Sequence, residues 1–375
     1  VDRLPTIEDV ARAAQVSRQT VSNVLNTPAI VKPETRKRVE VAIRKLAYRP
    51  HASARRLRMR KSSTIAIRLD PMTNGISGAL LDRFLHALTE QADARGIRIL
   101  LFTAADPAAE IEQIRKLRAG ADVDAFVLTA TFHGDPRTEW LVEHDVPFVT
   151  FGRPWGVNDM NNPKHLWVDV DGFAGMREAT LHLIDAGSSR IGFVGWPSLS
   201  GTGDDRRRGW QAAVEERLFP GDGDLAALNL SVEDLLEDAR DAVVALLESD
   251  ERIDGLVCAS DTLALGAMIA AASVGRSDLP IIGFDNSPVG QAIGLSSVDQ
   301  ALDEVARGAL ELLLGETGGD LVRRDAAAAG DTRHRLITPH LVIRQPLRLL
   351  APDAVSIPTA TKNAVGNHRN GKESQ

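Results

Sequence analysis

Apolar residues recur at Ile7, Val10, Ala11 and Ala14, the spacing of one face of a short helix. Thr6 stands just before that run and Asp9 three residues later, a capping-box arrangement in which hydroxyl and carboxylate satisfy free N–H groups of the first turn. After Gln15 and Val16, Ser17 is a second N-cap and opens a helix to about Leu25 in "VSRQTVSNVLN". There Val16, Val21, Val24 and Leu25 form the apolar side, leaving Arg18, Gln19, Ser22 and Asn23 on a polar one. Two short helices joined by a tight turn predict a helix-turn-helix, whose second helix can enter the major groove of DNA. Pro33, at a first helical position, starts a third helix with Val39, Ile43 and Leu46 facing inward. Val10, Val21, Val24 and Leu25 complete a thin core. Pro50 then breaks the pattern, and Arg49 to Ser63 leaves room for only about two more turns, marginal as an isolated helix.

From Thr64 the period changes. "TIAIRLD", "IRILLFT", "VDAFVLT" and "VPFVTFG" read as strands, separated by helical stretches such as "GALLDRFLHALTEQADA". After "WVDVDG" a second set begins with "RIGFVG", "IDGLVCA" and "LPIIGFD". This alternation predicts two doubly wound parallel sheets with helices on both faces, hence a bilobed α/β body with a ligand cleft. The helix carrying Leu80, Leu81, Phe84, Leu85 and Leu88 on one face suits either a dimer interface or the cover of a sheet. The expected domains are a headpiece over 1–48, a hinge over 49–63, a bilobed body over 64–345 and a disordered tail over 346–375, where Pro, Asn, Gly and Lys follow no period.

Charge sharpens this division. The 375 residues carry a net charge of −7, yet residues 1–62 hold 15 Lys/Arg against 5 Asp/Glu, leaving 29 against 46 in the rest. A basic module on an acidic body suits polyanion binding by the first and not the second. On the polar helix face, Arg18, Gln19 and Asn23 are side chains able to make paired hydrogen bonds with guanine or adenine edges. Ser22 and Thr20 are placed for phosphate or turn contacts, and Thr6 and Ser17, at the helix starts, complete the candidate DNA-contacting set. No stretch approaches the ~18 apolar residues of a membrane span, and no charged-then-apolar leader is seen, so the expected address is the cytoplasm. Cys258 is the single cysteine, which excludes an internal disulfide and any multi-cysteine metal site.

The run "TIEDVARAAQVSRQTVSNVLN…VKPETRKRVEVAIRKLAYRPHASARRL" resembles, almost position by position, the headpiece of the lactose-repressor/galactose-repressor family of bacterial transcription regulators. The resemblance continues through most of the chain. One departure is Lys32, where the family usually caps the third helix with Ser or Thr, a loss worth ~1 kcal/mol. The resemblance implies a hinge that folds on DNA, with Leu57 as the wedge entering the minor groove, Ala54 one turn earlier and Arg55 among the flanking arginines. It also implies a periplasmic-binding-protein-like body, with the chain crossing between lobes near 155–165, 290–300 and 320. The implied partners are a pseudo-palindromic double-stranded operator, a second copy of the chain and a small-molecule effector in the inter-lobe cleft. Leu347, Leu349 and Leu350 do not continue as a heptad past Pro352, which favours a dimer over a tetramer.

By the same resemblance Arg206 in "GDDRRRGW" and Asp285 in "GFDNS" are effector contacts. "ASDTLALG" has Ser260 where the family has asparagine, ahead of Asp261, which is either a contact or a helix cap. Trp155 after "FGRP" and Trp196 after "RIGFVG" are expected to reach the cleft and stack on the ligand, while Trp210 reads as core and Trp167 as either. The effector expected is a sugar or glycoside, with a purine or nucleoside as the alternative. Asp169 and Asp171 read as a strand-end turn and not a metal pair. An enzyme is disfavoured: "GTGDDR" has Arg206 where a dinucleotide motif needs its third glycine, no P-loop or HExxH occurs, and Cys258 lies in an apolar strand. No catalytic residue, metal or cofactor is assigned.

Overall fold

The computed structural model describes residues 5–48, 62–69, 78–156, 160–218, 225–315 and 334–345. Its elements in chain order are α1 (Ile7–Ala14), α2 (Arg18–Asn26), α3 (Pro33–Lys45), β1 (Thr64–Arg68), α4 (Gly78–Ala94), β2 (Arg98–Phe102), α5 (Pro107–Ala119), β3 (Ala125–Leu128), α6 (Pro136–Glu143) and β4 (Phe148–Phe151). There follow β5 (Leu166–Val170), α7 (Gly172–Asp185), β6 (Ile191–Gly195), α8 (Thr202–Arg217), β7 (Asn229–Ser231), α9 (Leu236–Ser249) and β8 (Gly255–Cys258). The last are α10 (Asp261–Ser273), β9 (Ile281–Phe284), α11 (Pro288–Ala292), β10 (Ser296–Asp299), α12 (Leu302–Leu314), β11 (His334–Ile337) and β12 (His340–Val342).

The first three helices close on their own small core of Val10, Ala11, Ala14, Val21, Val24, Val39, Ala42 and Tyr48, with Val16, Leu25, Ile43 and Leu46 packed at its edge. The capping box forms: Thr6 N–H donates to Asp9 Oδ2 at 2.9 Å and Thr6 Oγ1 takes the Asp9 N–H. Gln15, in the left-handed region at φ 52°, turns the chain between α1 and α2. Lys32 precedes α3 without a side-chain cap, so that helix relies on Pro33 and its buried face.

Contacts divide the chain into two compact units, the headpiece falling in the first and the boundaries after Asp171, Gln300 and Thr338, with a short return of Leu199–Thr202 to the first unit. The crossings thus lie later than the expected 155–165 and 320. The reason is pairing: β5 and β11 both join the first sheet, Val149 pairing with Leu166 and Trp167 with His334. Ser62 and Ser63 also belong to the body, since their N–H groups donate to Asp124 at 2.8 and 2.7 Å. The hinge expected over 49–63 therefore ends before Ser62, and the rest of it, like the tail from 346, lies outside the described residues.

The first sheet runs β11-β5-β4-β3-β1-β2 and is wholly parallel. Its strands alternate between two cores. Ile65, Ile67, Val127 and Val149 face Phe84 and Leu88 of α4 and Leu310 of α12, while Ala66, Phe126, Leu128 and Phe148 face Ile114 of α5 and Leu141 of α6. Leu80, Leu81 and Leu85 are partly buried and pack on the first of these cores, so α4 covers the sheet. At the carboxyl ends of β1 and β3, Arg137 is fully buried. Its Nε and Nη2 donate to both oxygens of Asp135 at 2.9 and 2.6 Å, and its Nη1 donates to Glu110 at 2.9 Å. Its Nη2 also reaches the carbonyls of Thr129 and Ala130, and Arg68 supports Glu110 at 3.2 Å.

The second sheet repeats the order as β12-β10-β9-β8-β6-β7. It departs from the expected all-parallel arrangement at its edge, where β12 pairs antiparallel to β10, Val298 opposite Leu341. The chain enters β12 from β11 of the first sheet after Thr338 and Pro339. Trp210 is core as expected, stacked on Phe193 at 5.5 Å with Nε1 donating to Ile191 O at 3.1 Å. Trp167 is also buried, its Nε1 donating to Met160 O at 2.8 Å.

Candidate nucleic-acid interface and effector site

Helix α2 exists because Ser17 caps it, accepting the Thr20 N–H at 3.1 Å, and because Val21 and Val24 are buried. Arg18 and Gln19 are exposed beside half-buried Ser22 and Asn23, so the polar face of α2 is displayed. Two of its members hold each other, Gln19 Nε2 donating to Asn23 Oδ1 at 3.0 Å. Thr20 Oγ1 lies 2.9 Å from Ser17 Oγ, and Arg18 stands 3.8 Å from Glu8. Thr6 and Ser17 are capping residues first, and a phosphate contact would come from the helix ends that they order. Ala54, Arg55 and Leu57 lie outside the described residues.

In the second unit the candidate effector residues gather at the carboxyl ends of the strands, where the strand order reverses between β6 and β8. Arg206, on the second turn of α8, is only 3% exposed. Its Nη1 donates to Ala259 O just beyond β8 and stands 3.6 Å from Asp285 Oδ1 just beyond β9. The guanidinium lies over the Phe284 ring at 3.7 Å and over Trp196 at 5.3 Å. Asp285 sits at φ 110°, a region where side-chain-bearing residues are rare, and such departures gather at functional positions. Gln300 Nε2, beyond β10, donates to Asp285 Oδ1 at 2.6 Å. Burial pushes the Asp285 carboxyl up to about 8; Arg206 opposes this while Asp261 and Asp234 add to it.

Ser260 and Asp261 serve the frame of this site. Ser260 caps α10 and donates its hydroxyl to Asp234 at 2.6 Å. Asp261 is buried, one oxygen taking the Ser287 N–H and the other the Ser297 hydroxyl, both at 2.6 Å. It thereby pins the turn that carries Asp285, with burial raising its pKa above the usual carboxylate range. Trp196 is half-buried and its Nε1 has no hydrogen-bond partner. Trp155 belongs to the first unit and is only 5% exposed. The Arg153 guanidinium lies over it at 4.5 Å and Gly201 packs against the ring, so it is covered and not open for stacking as expected. Asp169 is likewise engaged, by Arg153 at 2.7 Å.

The sequence reading missed Gln300 and Asp234. Gln300 follows "SSVD", too short and polar to stand out as a strand, and Asp234 reads as an ordinary residue before a helix.

Residues 6–51 match the family described as bacterial regulatory proteins, lacI family, and residues 180–346 match the periplasmic binding protein-like domain. The HTH-type transcriptional regulator CelR of Thermobifida fusca is 32% identical over 331 residues, spanning 84% of this chain and 94% of that protein. The chain belongs to the LacI family. This LacI-family chain is also 32% identical over 319 residues to the ribose operon repressor of Halalkalibacterium halodurans, covering 83% of the chain and 90% of that protein. It is 26% identical over 360 residues to the repressor PurR of Salmonella paratyphi B, covering 92% and 99%. Among solved structures, the transcriptional regulator CelR–cellobiose complex matches with a TM-score of 0.62 at 27% identity, covering 91% of this chain and 99% of that one. As a LacI-family protein the chain is a transcriptional regulator with an effector-binding domain, and its relatives are regulators and not enzymes. No described helix is long and apolar enough to cross a membrane.

Proposed function

We propose that this regulator represses transcription as a homodimer on a pseudo-palindromic operator, and that a sugar or glycoside held by Arg206, Asp285 and Trp196 controls its operator affinity. The observation that carries the reading is the Arg206–Asp285 pair at the carboxyl ends of β8 and β9. A guanidinium supplies fixed donors, a carboxyl group exchanges hydrogen bonds with ligand hydroxyls, and an indole offers an apolar face to a sugar ring. Similarity to CelR, solved with cellobiose, supports a carbohydrate. Similarity to PurR supports the second reading, a purine stacked on the same aromatic residues.

For DNA, Arg18, Gln19 and Asn23 are the proposed base readers, with Thr6, Ser17, Thr20 and Ser22 ordering the helix ends or contacting phosphate. Ala54, Arg55 and Leu57 are the proposed minor-groove contacts. The test begins with selection of an operator from random duplexes, where a two-fold symmetric site is expected. Calorimetric titration of the full chain with cellobiose, ribose, hypoxanthine and guanine then decides the ligand class. Asp285→Ala should abolish the ligand's effect on operator binding while leaving operator affinity itself near wild type. Tight hypoxanthine or guanine binding without any sugar response overturns the carbohydrate reading, and a single asymmetric half-site overturns the dimeric one.

A further inference from the structure

Two consecutive residues at the carboxyl end of β9 hold a backbone that side-chain-bearing residues rarely adopt. Asp285 stands at φ 110° and Asn286 at φ 47°. Such a pair persists only where the surroundings over-determine it. The Asp285 N–H donates to Val298 O at 2.9 Å, and Gln300 holds one of its carboxyl oxygens. Asn286 is engaged at each of its polar atoms. Its N–H donates to Ser297 Oγ at 2.9 Å, its carbonyl takes Gln291 Nε2 at 2.9 Å, and its Nδ2 donates to Asp299 at 2.5 Å. Its Oδ1 takes Arg344 Nη2 at 2.7 Å.

Arg344 comes from the far end of the described chain, just past β12, and is itself fixed. Its N–H donates to Ser296 Oγ at 3.0 Å, and the same hydroxyl donates to Arg344 O at 3.2 Å. Its Nη1 donates to Leu295 O at 3.0 Å. The guanidinium therefore joins the two ends of the segment that leaves β9 at Asn286 and enters β10 after Leu295, with α11 between them. Its charge also favours the ionised form of Asp261, which takes the N–H of Ser287, the next residue of the turn, at 2.6 Å. β12 pairs with β10 through backbone groups, so its place in the sheet needs no guanidinium. A planar fork bonds two acceptors in fixed directions, which an ammonium does not reproduce.

Resting on the ligand-site reading above, we propose that Arg344 is a positioning residue for the effector: through Asn286 it holds the Asp285 carboxyl where a ligand meets it. Arg344 acts through Asn286 and needs no contact of its own with the ligand. The strand that ends the second unit's sheet is thereby part of the ligand response.

The experiment is titration calorimetry of the full chain with cellobiose, ribose, hypoxanthine and guanine. For whichever of these binds wild type, Arg344→Met and Asn286→Ala should each weaken binding at least about tenfold, and the double variant by much less than the product, because both break one contact. Arg344→Lys, able to reach Asn286 or Leu295 but not both, should fall between wild type and Arg344→Met. Unchanged affinity in Arg344→Met, or strictly multiplicative effects, overturns the proposal; if Asp285→Ala abolishes binding in the same titrations, the ligand-site reading survives that failure. Binding that persists in Asp285→Ala overturns the reading and the proposal with it. A second readout separates positioning from mere support of the fold, and decides the matter if none of these ligands binds or Arg344→Met does not fold. Carbon-13 carboxyl titration of Asp285, with its midpoint at about 8 in wild type, should show that midpoint falling toward the ordinary carboxylate range in Asn286→Ala and Arg344→Lys, as the released carboxyl meets water. Loss of stability alone leaves the midpoint of the folded chain in place, and loss of a positive charge alone raises it. A midpoint that stays or rises in both variants sinks the proposal.

Discussion

Arg137 offers the sharpest test of how the first unit is held together. Arg137→Met keeps much of the side chain's length and removes the guanidinium from a place where every neighbour depends on it. Asp135 loses three hydrogen bonds of 2.9, 3.1 and 2.6 Å, Glu110 loses one of 2.9 Å, and the carbonyls of Thr129 and Ala130 lose their shared donor. Arg137 and Glu110 are each 1% exposed, so water cannot replace what is lost. Burial alone would pull the Arg137 pKa down, yet Asp135 and Glu110 outweigh it and hold the group above its ordinary value. Removing one member of a buried pair costs about 3–5 kcal/mol. Glu110 keeps Arg68 at 3.2 Å, which argues for the middle of that range. At about 2–4 °C per kcal/mol for a unit of this size, calorimetry should show a melting transition lowered by roughly 8–16 °C. Adding Asp135→Asn to the variant should cost less than the two single changes summed, because the second change removes a charge already stranded. A fall below about 2 °C, or strict additivity in the double variant, would refute the reasoning.

Lys32→Thr supplies the cap that α3 lacks and should raise headpiece stability by about 1 kcal/mol; unchanged helical circular dichroism on heating would count against it. Arg18→Ala should cost about 1–3 kcal/mol at one base position in each half-site, and undiminished sequence preference in a selection experiment would remove Arg18 from the base readers. Asp285, lifted to about 8 by burial, keeps a proton in the folded chain that the unfolded chain releases above about 4. Its contribution to stability is therefore full below about 4 and lost as pH rises toward 8, so wild type should weaken relative to Asp285→Asn between pH 5 and 8; parallel melting curves would refute this.

Local signals made the headpiece legible. Thr6 with Asp9, Ser17 before α2 and Pro33 before α3 are short-range devices, and each forms where the sequence places it. Strands buried on both faces were equally plain as apolar runs. The misplaced crossings came from β5 and β11, and the unexpected antiparallel edge from β12, strands whose pairing is nonlocal. Arg206 and Asp285 are assigned through the family resemblance, whereas Asp234 reaches its place through Ser260, a contact across 26 residues. The covering of Trp155 depends on Gly201, from a four-residue return of the chain that no periodicity marks.

Helix α12 carries a consequence for how the chain is made. Leu302, Val305, Ala306, Ala309, Leu310 and Leu313 fill one face of the first sheet, against Ile65, Val127, Val149 and Val168. Those strands leave the ribosome long before residue 302, and the whole of the second unit's sheet up to β10 is synthesised in between. During that interval the headpiece, closed by contacts within 44 described residues from Pro5 to Tyr48, can fold at once. The lobe beside it in sequence cannot, and keeps the part of its aliphatic face that α4 does not cover exposed until α12 arrives. The lobe begun first thus waits for residues made after most of the second lobe, so a nascent or truncated chain ending before Leu302 is a form of this protein exposed to aggregation and in need of a chaperone.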